Sequence, residues 1–120
     1  VATVGEAVPP VVFSSLMASR EFLKTEAAKA FTRAYALARR WVNRAPAEEA
    51  ADKEIEFFPQ IDREALAATI ARYQALGCWD GDLAITRERY EQALNVFLFS
   101  GKISRRRPYE DVVIHPPEEL

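Results

Sequence analysis

His115 is the sole histidine and Cys78 the sole cysteine of the 120 residues. Those two facts limit the chemistry first. A nucleophile–base–acid relay normally needs a histidine held by a partner, and His115 stands in a tail followed by Pro116 and Pro117. One Cys and one His do not make the usual four-ligand zinc set. A single Cys also excludes an internal disulfide. Asp80–Gly81–Asp82 lacks the twelve-residue frame and closing glutamate of a calcium loop, and reads as turn chemistry. Glu48, Glu49, Glu54 and Glu56 lie along one amphipathic segment and mostly off its apolar stripe. They read as a solvated face rather than a desolvated acid–base pair. Gly5, Gly77, Gly81 and Gly101 fall into no phosphate-cradling pattern. The expectation is a non-enzymatic chain with no metal and no cofactor.

Trp79 is the one aromatic whose direction periodicity does not fix. It follows a helix end and Cys78, so it either caps an apolar seam or faces a ligand. Trp41, Tyr73 and Tyr90 sit on helical stripes and read as core.

The elements that position these residues are mostly helical. Thr25 can accept an orphan backbone N–H and open a helix reaching about Asn43. Phe31, Tyr35, Ala38 and Val42 give that helix one apolar stripe. Pro46 opens a second helix, with Glu48 and Glu49 in its first turn and Ala47, Ala51, Ile55 and Phe58 on one face. Pro59 stops it. Asp62 starts a third helix through Leu66, Ile70 and Tyr73, ended by Gly77. Thr86 starts a fourth through Tyr90, Leu94 and Phe97, ended by Gly101. Pro108 opens a last turn through Asp111, and residues 112–120 form a tail.

Residues 1–18 read differently. Val11, Val12 and Phe13 are β-rich, Ser14–Met17 can extend the run, and Pro9 and Pro10 precede it, as suits a strand start. A short continuous apolar run implies a strand buried on both faces. The chain offers few sheet partners, Val1–Val4 and Val112–Ile114 among them, so the expected partners lie outside it. The fold class expected is mainly α, about four helices plus a short N-terminal strand.

Bulk properties fit that picture. Apolar residues make up 49% and charged residues 28%, with a net charge of −2; that is ordinary for a globular chain. The Arg105–Arg106–Arg107 run is the only basic cluster, too little for a nucleic-acid partner. No apolar run approaches the roughly 20 residues of a membrane span.

The succession of motifs resembles a known group. The run Val11–Met17 is followed by Ser19-Arg-Glu-Phe-Leu23, Phe31-Thr-Arg-Ala-Tyr35 and Trp41-Val-Asn-Arg-Ala-Pro46. Tyr73-Gln-Ala-Leu-Gly77-Cys-Trp79, Tyr90-Glu-Gln-Ala-Leu94, Ser100-Gly-Lys-Ile103 and Pro108-Tyr-Glu-Asp111 come next. This order is similar to the C-terminal part of ABC-transporter solute-binding proteins of the nitrate/sulfonate/taurine and thiamine-pyrimidine-precursor group. The resemblance implies a fragment of a two-lobed α/β fold, the periplasmic-binding-protein type II fold. Residues 1–18 would be the hinge or crossover segment with its strand, and residues 19–111 the helical C-terminal part of the first lobe. Glu6, Pro9 and Pro10 would border the ligand cleft at the hinge, joined by Trp79 if its ring faces the ligand. The expected function is capture of a small pyrimidine, sulfonate or nitrate-like nutrient for an ABC permease, by a periplasmic or lipid-anchored receptor. Most ligand contacts would come from segments absent here. The alternative is a stand-alone helical interaction module. An exposed strand edge would then favour dimerisation or strand exchange.

Overall fold

A computed structural model describes Pro9, Val11, Val12 and residues 14–117. The chain is mainly helical, with no strand among the described residues. Among the described residues five α-helices follow one another: α1 (Glu26–Arg44), α2 (Ala47–Glu54), α3 (Arg63–Ala75), α4 (Arg87–Phe99) and the single turn α5 (Tyr109–Val112). Short 3-10 turns cover Phe22–Lys24 and Ile55–Phe57. No helix among the described residues is long and apolar enough to cross a membrane.

Local chemistry sets the helix ends. The Thr25 hydroxyl accepts from the Ala28 amide at 3.2 Å, and the Thr86 hydroxyl accepts from the Arg89 amide at 3.3 Å. Each satisfies one of the donors a helix start leaves unpaired. Asp62 occupies the cap position of α3 with no side-chain capping bond; its backbone carbonyl accepts from Leu66 at 2.9 Å. At the far ends, Gly77 and Gly101 adopt φ of 68° and 69°. The Cys78 amide donates to the Tyr73 carbonyl and the Lys102 amide to the Phe97 carbonyl, at 3.1 and 2.9 Å. Both helices therefore close in the Schellman manner, which needs a left-handed residue that glycine supplies without strain.

The chain divides into two compact units. The first is Arg33–Asp82, which holds most of α1, all of α2 and α3, and the turn after them. Its core is Val42, Ala50, Ala51, Leu66, Ala67 and Ile70, with Ala47, Ile55 and Trp79 packed against it. Alanine at positions 50 and 51 lets the α2 backbone approach its neighbours closely, and both residues are fully buried. The entry to α3 is tied to α2 by Arg63, whose guanidinium donates to Asp52 at 2.5 Å and to Glu48 at 2.6 Å. Glu48 and Asp52 are four residues apart, so they share a helix face.

The second unit joins the segment ending at Thr32 to the segment from Leu83 onward. Ala28, Thr32 and Ala93 are its buried residues among those described. Polar contacts supply much of the rest. The Val12 amide reaches the Arg89 carbonyl at 3.5 Å, and Arg20 donates to the Asp111 carbonyl at 3.0 Å.

Two expectations are corrected here. Val11, Val12 and Ser14–Met17 form no strand: among the described residues the Val12 amide makes one long backbone bond, to the Arg89 carbonyl, and Leu16 and Met17 are exposed. β-propensity describes fit to a pleated surface that neighbours provide, and no strand lies beside these residues among those described. Phe13, Pro10 and residues 1–8 lie outside the described residues. The stripe expected on α1 is also displaced. Of Phe31, Tyr35, Ala38 and Val42, only Val42 is buried; Ala28, Thr32 and Ala36 form the buried line instead. The apolar side of helix α1 is broad, with Ala28 and Ala36 flanking the arc of Phe31, Tyr35, Ala38 and Val42. The small-residue face went inward, leaving Phe31 51% and Tyr35 41% exposed.

Candidate functional site

Trp79 lies in the turn that leaves α3, and the preceding Schellman closure aims the chain back over the helix. Its ring meets Tyr73 edge-on at 5.8 Å between centroids, an arrangement the ring quadrupoles favour. It also packs against the core of the Arg33–Asp82 unit. Periodicity left its direction open; the ring is half-buried on the seam rather than free in solvent.

The turn beyond Trp79 is held by α1. Arg39 donates from one guanidinium nitrogen to the Asp82 carbonyl and from the other to the Asp80 carbonyl, both at 2.8 Å. Asn43, one helical turn on, donates to the Asp80 carboxylate at 2.8 Å. The Asp80 side chain also closes over Gly77, where a Cβ would lie 2.6 Å from Oδ2. Gln74 does similar work on the other side, donating to the Val42 and Ala45 carbonyls at 2.7 and 2.8 Å. Those carbonyls belong to the end of α1 and lack helical partners. The Asp-Gly-Asp segment is a turn anchored by side chains of α1. Cys78 is exposed.

A second cluster, in the other unit, joins α4 to α5. Tyr109 donates to the Ile85 carbonyl at 2.5 Å, and Tyr90 donates to the Arg107 carbonyl at 2.8 Å. The two rings meet edge-on at 5.7 Å. Arg87 lies over the Tyr109 ring at 4.7 Å and pairs with Glu110. That pairing raises the Arg87 pKa, and it holds the Glu110 carboxyl below its ordinary range together with a backbone hydrogen bond. Burial pushes the Tyr90 phenol up, with Glu91 and Asp111 nearby acting in the same direction. Arg106 pairs with Glu91 at 2.7 Å and bonds Asn95. Within the run Arg105–Arg107, only the first of the three keeps both side chain and carbonyl outside this network.

Sequence reasoning placed Tyr90 on a core stripe and did not foresee this cluster. The available signal was Arg87 one turn before Tyr90, with Pro108-Tyr109-Glu110 opening a helix that must pack somewhere. Of the residues assigned to a ligand cleft, Trp79 is in the Arg33–Asp82 unit and Pro9 is an exposed residue of the other. Glu6 and Pro10 lie outside the described residues. His115 sits in the tail, its Nδ1 3.4 Å from the Pro116 carbonyl. Among the described residues no group of three or more His, Cys, Asp or Glu side chains is placed to hold a metal ion.

Comparison with known proteins gives one kind of signal. The chain is similar to a protein of Bacillus subtilis (strain 168) named "Putative binding protein YtlA", at 26% identity over 115 residues. The match covers 94% of this chain and 34% of that protein, so the chain spans about a third of its relative's length. No family model matches, and no solved structure matches.

Proposed function

We propose that the chain is the C-terminal part of a solute-binding protein that captures a small nutrient for uptake by an ABC transporter. The observation that carries this reading is the likeness to a binding protein along nearly all of the chain but only a third of the relative. A solute site of the nitrate/sulfonate/taurine and thiamine-precursor kind would then be completed by other segments of a two-lobed α/β fold of the periplasmic-binding-protein type II. The ligand would favour the closed form by touching both lobes. On this reading the protein is periplasmic or lipid-anchored, hands its cargo to a membrane permease, and performs no chemistry on it. Ligand capture is tested on the protein made from the complete reading frame. Its thermal unfolding is followed with a hydroxymethylpyrimidine, taurine or nitrate added. One of these ligand classes raises the midpoint, as binding to the native state alone must. Failure of all three to move it would remove the reading.

A stand-alone helical interaction module is the second reading, and the absence of a strand at Val11, Val12 and Ser14–Met17 favours it. Against it stands the thin core: no large side chain among the described residues is fully buried. The two part on one readout. A module binds a helical partner without any small solute, whereas a receptor responds to solute alone.

A further inference from the structure

The Arg33–Asp82 unit carries two exposed apolar surfaces of opposite charge. The first is a stripe on α1. Arg33, Leu37, Trp41 and Arg44 follow spacings of four, four and three and therefore share one face. Leu37 is 56% and Trp41 37% exposed, and the Lys53 ammonium lies 5.7 Å from the Trp41 ring. No acidic residue occurs from Arg33 to Arg44. The second is the tip between α2 and α3. Phe57 is 72% exposed, with Phe58 and Ile61 also open. Glu54, Glu56 and Asp62 surround it in sequence. Arg33, Arg44, Glu54, Glu56 and Asp62 have no ion pair among the described residues. Of the cations next to the tip in sequence, Arg63 is paired with Glu48 and Asp52, and the Lys53 ammonium is turned toward the Trp41 ring.

We infer that the occupant of these surfaces is a second copy of this chain, bound about a two-fold axis. The acidic aromatic tip of each copy docks on the basic apolar stripe of the other. The argument is complementarity within one sequence. A two-fold contact places surface i on j and j on i, so it requires a chain that carries both halves of the match, and this unit does. An anionic membrane would be repelled by the tip, and a basic partner would be repelled by the stripe. Strand exchange is not involved.

Light scattering on the full 120-residue sequence across a concentration series tests this. A dimer appears as concentration rises, and it weakens as salt is raised from low values toward 1 M, because charge steers and registers the contact. The double reversal Glu54→Lys/Glu56→Lys raises the dimer Kd by about tenfold or more, and Arg33→Glu/Arg44→Glu does the same. Combining all four restores association to within a few-fold of the original, which no general loss of folding can mimic. Four outcomes overturn the inference: a monomer at the highest concentration, a dimer indifferent to salt, reversals without effect, or a quadruple variant no better than the doubles. Monomers captured by anionic vesicles through Arg33 and Arg44 would overturn it as well.

Discussion

The two units are held by different means. Arg33–Asp82 is built around contiguous buried apolar residues on three helices, Val42, Ala50, Ala51, Leu66, Ala67 and Ile70. The unit containing α4 and α5 buries little and is stitched by side chains onto carbonyls: Tyr90 to Arg107, Tyr109 to Ile85, Arg20 to Asp111. Apolar burial scales with area and is not weakened by charge screening, whereas charged contacts near the surface are screened and individually worth little. One chain thus contains a unit whose integrity depends on volume and another whose integrity depends on geometry and charge.

Removing volume should produce the largest effect. Leu66→Ala or Ile70→Ala leaves a void beside Ala50 and Ala51 and costs about 3 kcal/mol, read from denaturant unfolding. Helicity of α4 should respond less than that of α2 and α3, which site-resolved hydrogen exchange would separate.

The paired glycines sharpen the contrast. Gly77→Ala should cost about 2 kcal/mol, because a side chain at φ 68° is strained and its Cβ would also displace Asp80 from the Asn43 contact. Gly101→Ala has the same backbone strain but nothing within 4 Å of the added carbon, and should cost about 1 kcal/mol. Equal losses would mean that the Asp80 latch contributes nothing.

Smaller still is Tyr109→Phe, which removes the donor to the Ile85 carbonyl and should cost about 0.5 kcal/mol. It should loosen α5 and leave the Arg33–Asp82 core unchanged in hydrogen exchange. Raising salt to about 1 M should act the same way, since Arg87–Glu110 and Arg106–Glu91 are exposed pairs in a medium whose screening length is then about 3 Å.

The smallest effect is electrostatic and lies in the apolar unit. Arg63 holds the Asp52 carboxyl below its ordinary value, chiefly by hydrogen bonding. A carboxyl whose folded pKa is depressed contributes stability above its unfolded pKa and loses it as pH falls through the folded one. Acidification below the usual aspartate range of about 4 should therefore weaken the α2–α3 link slightly. A carbon-detected titration should find the Asp52 midpoint lower in the native protein than in Arg63→Gln.

Helix ends were the most legible part of this molecule. Thr25, Thr86, Pro59, Gly77, Gly101 and Pro108 act through one or two neighbours, so their types state their roles. The inward face of α1 was harder, because Ala28, Thr32 and Ala36 compete with Phe31 and Tyr35, and hydrophobicity alone favours the wrong set. Gln74 and Arg39 were illegible, since their partners lie 29 to 43 residues away in sequence and are backbone carbonyls without any type signature. The Val11–Met17 run misled for a related reason: a strand exists only where a ladder partner is present. At the candidate site, Trp79 could be singled out from its place after Gly77, but its contact with Tyr73 could not be derived from spacing.

That run also offers the most direct test of the binding-protein account. Amide hydrogen exchange at Val11, Val12 and Ser14–Met17 should be measured in the 120-residue sequence and in the protein made from its complete reading frame. The account predicts rapid exchange in the first and strong protection in the second, where sheet partners supplied by other segments would bond these amides. Equally rapid exchange in both would contradict it.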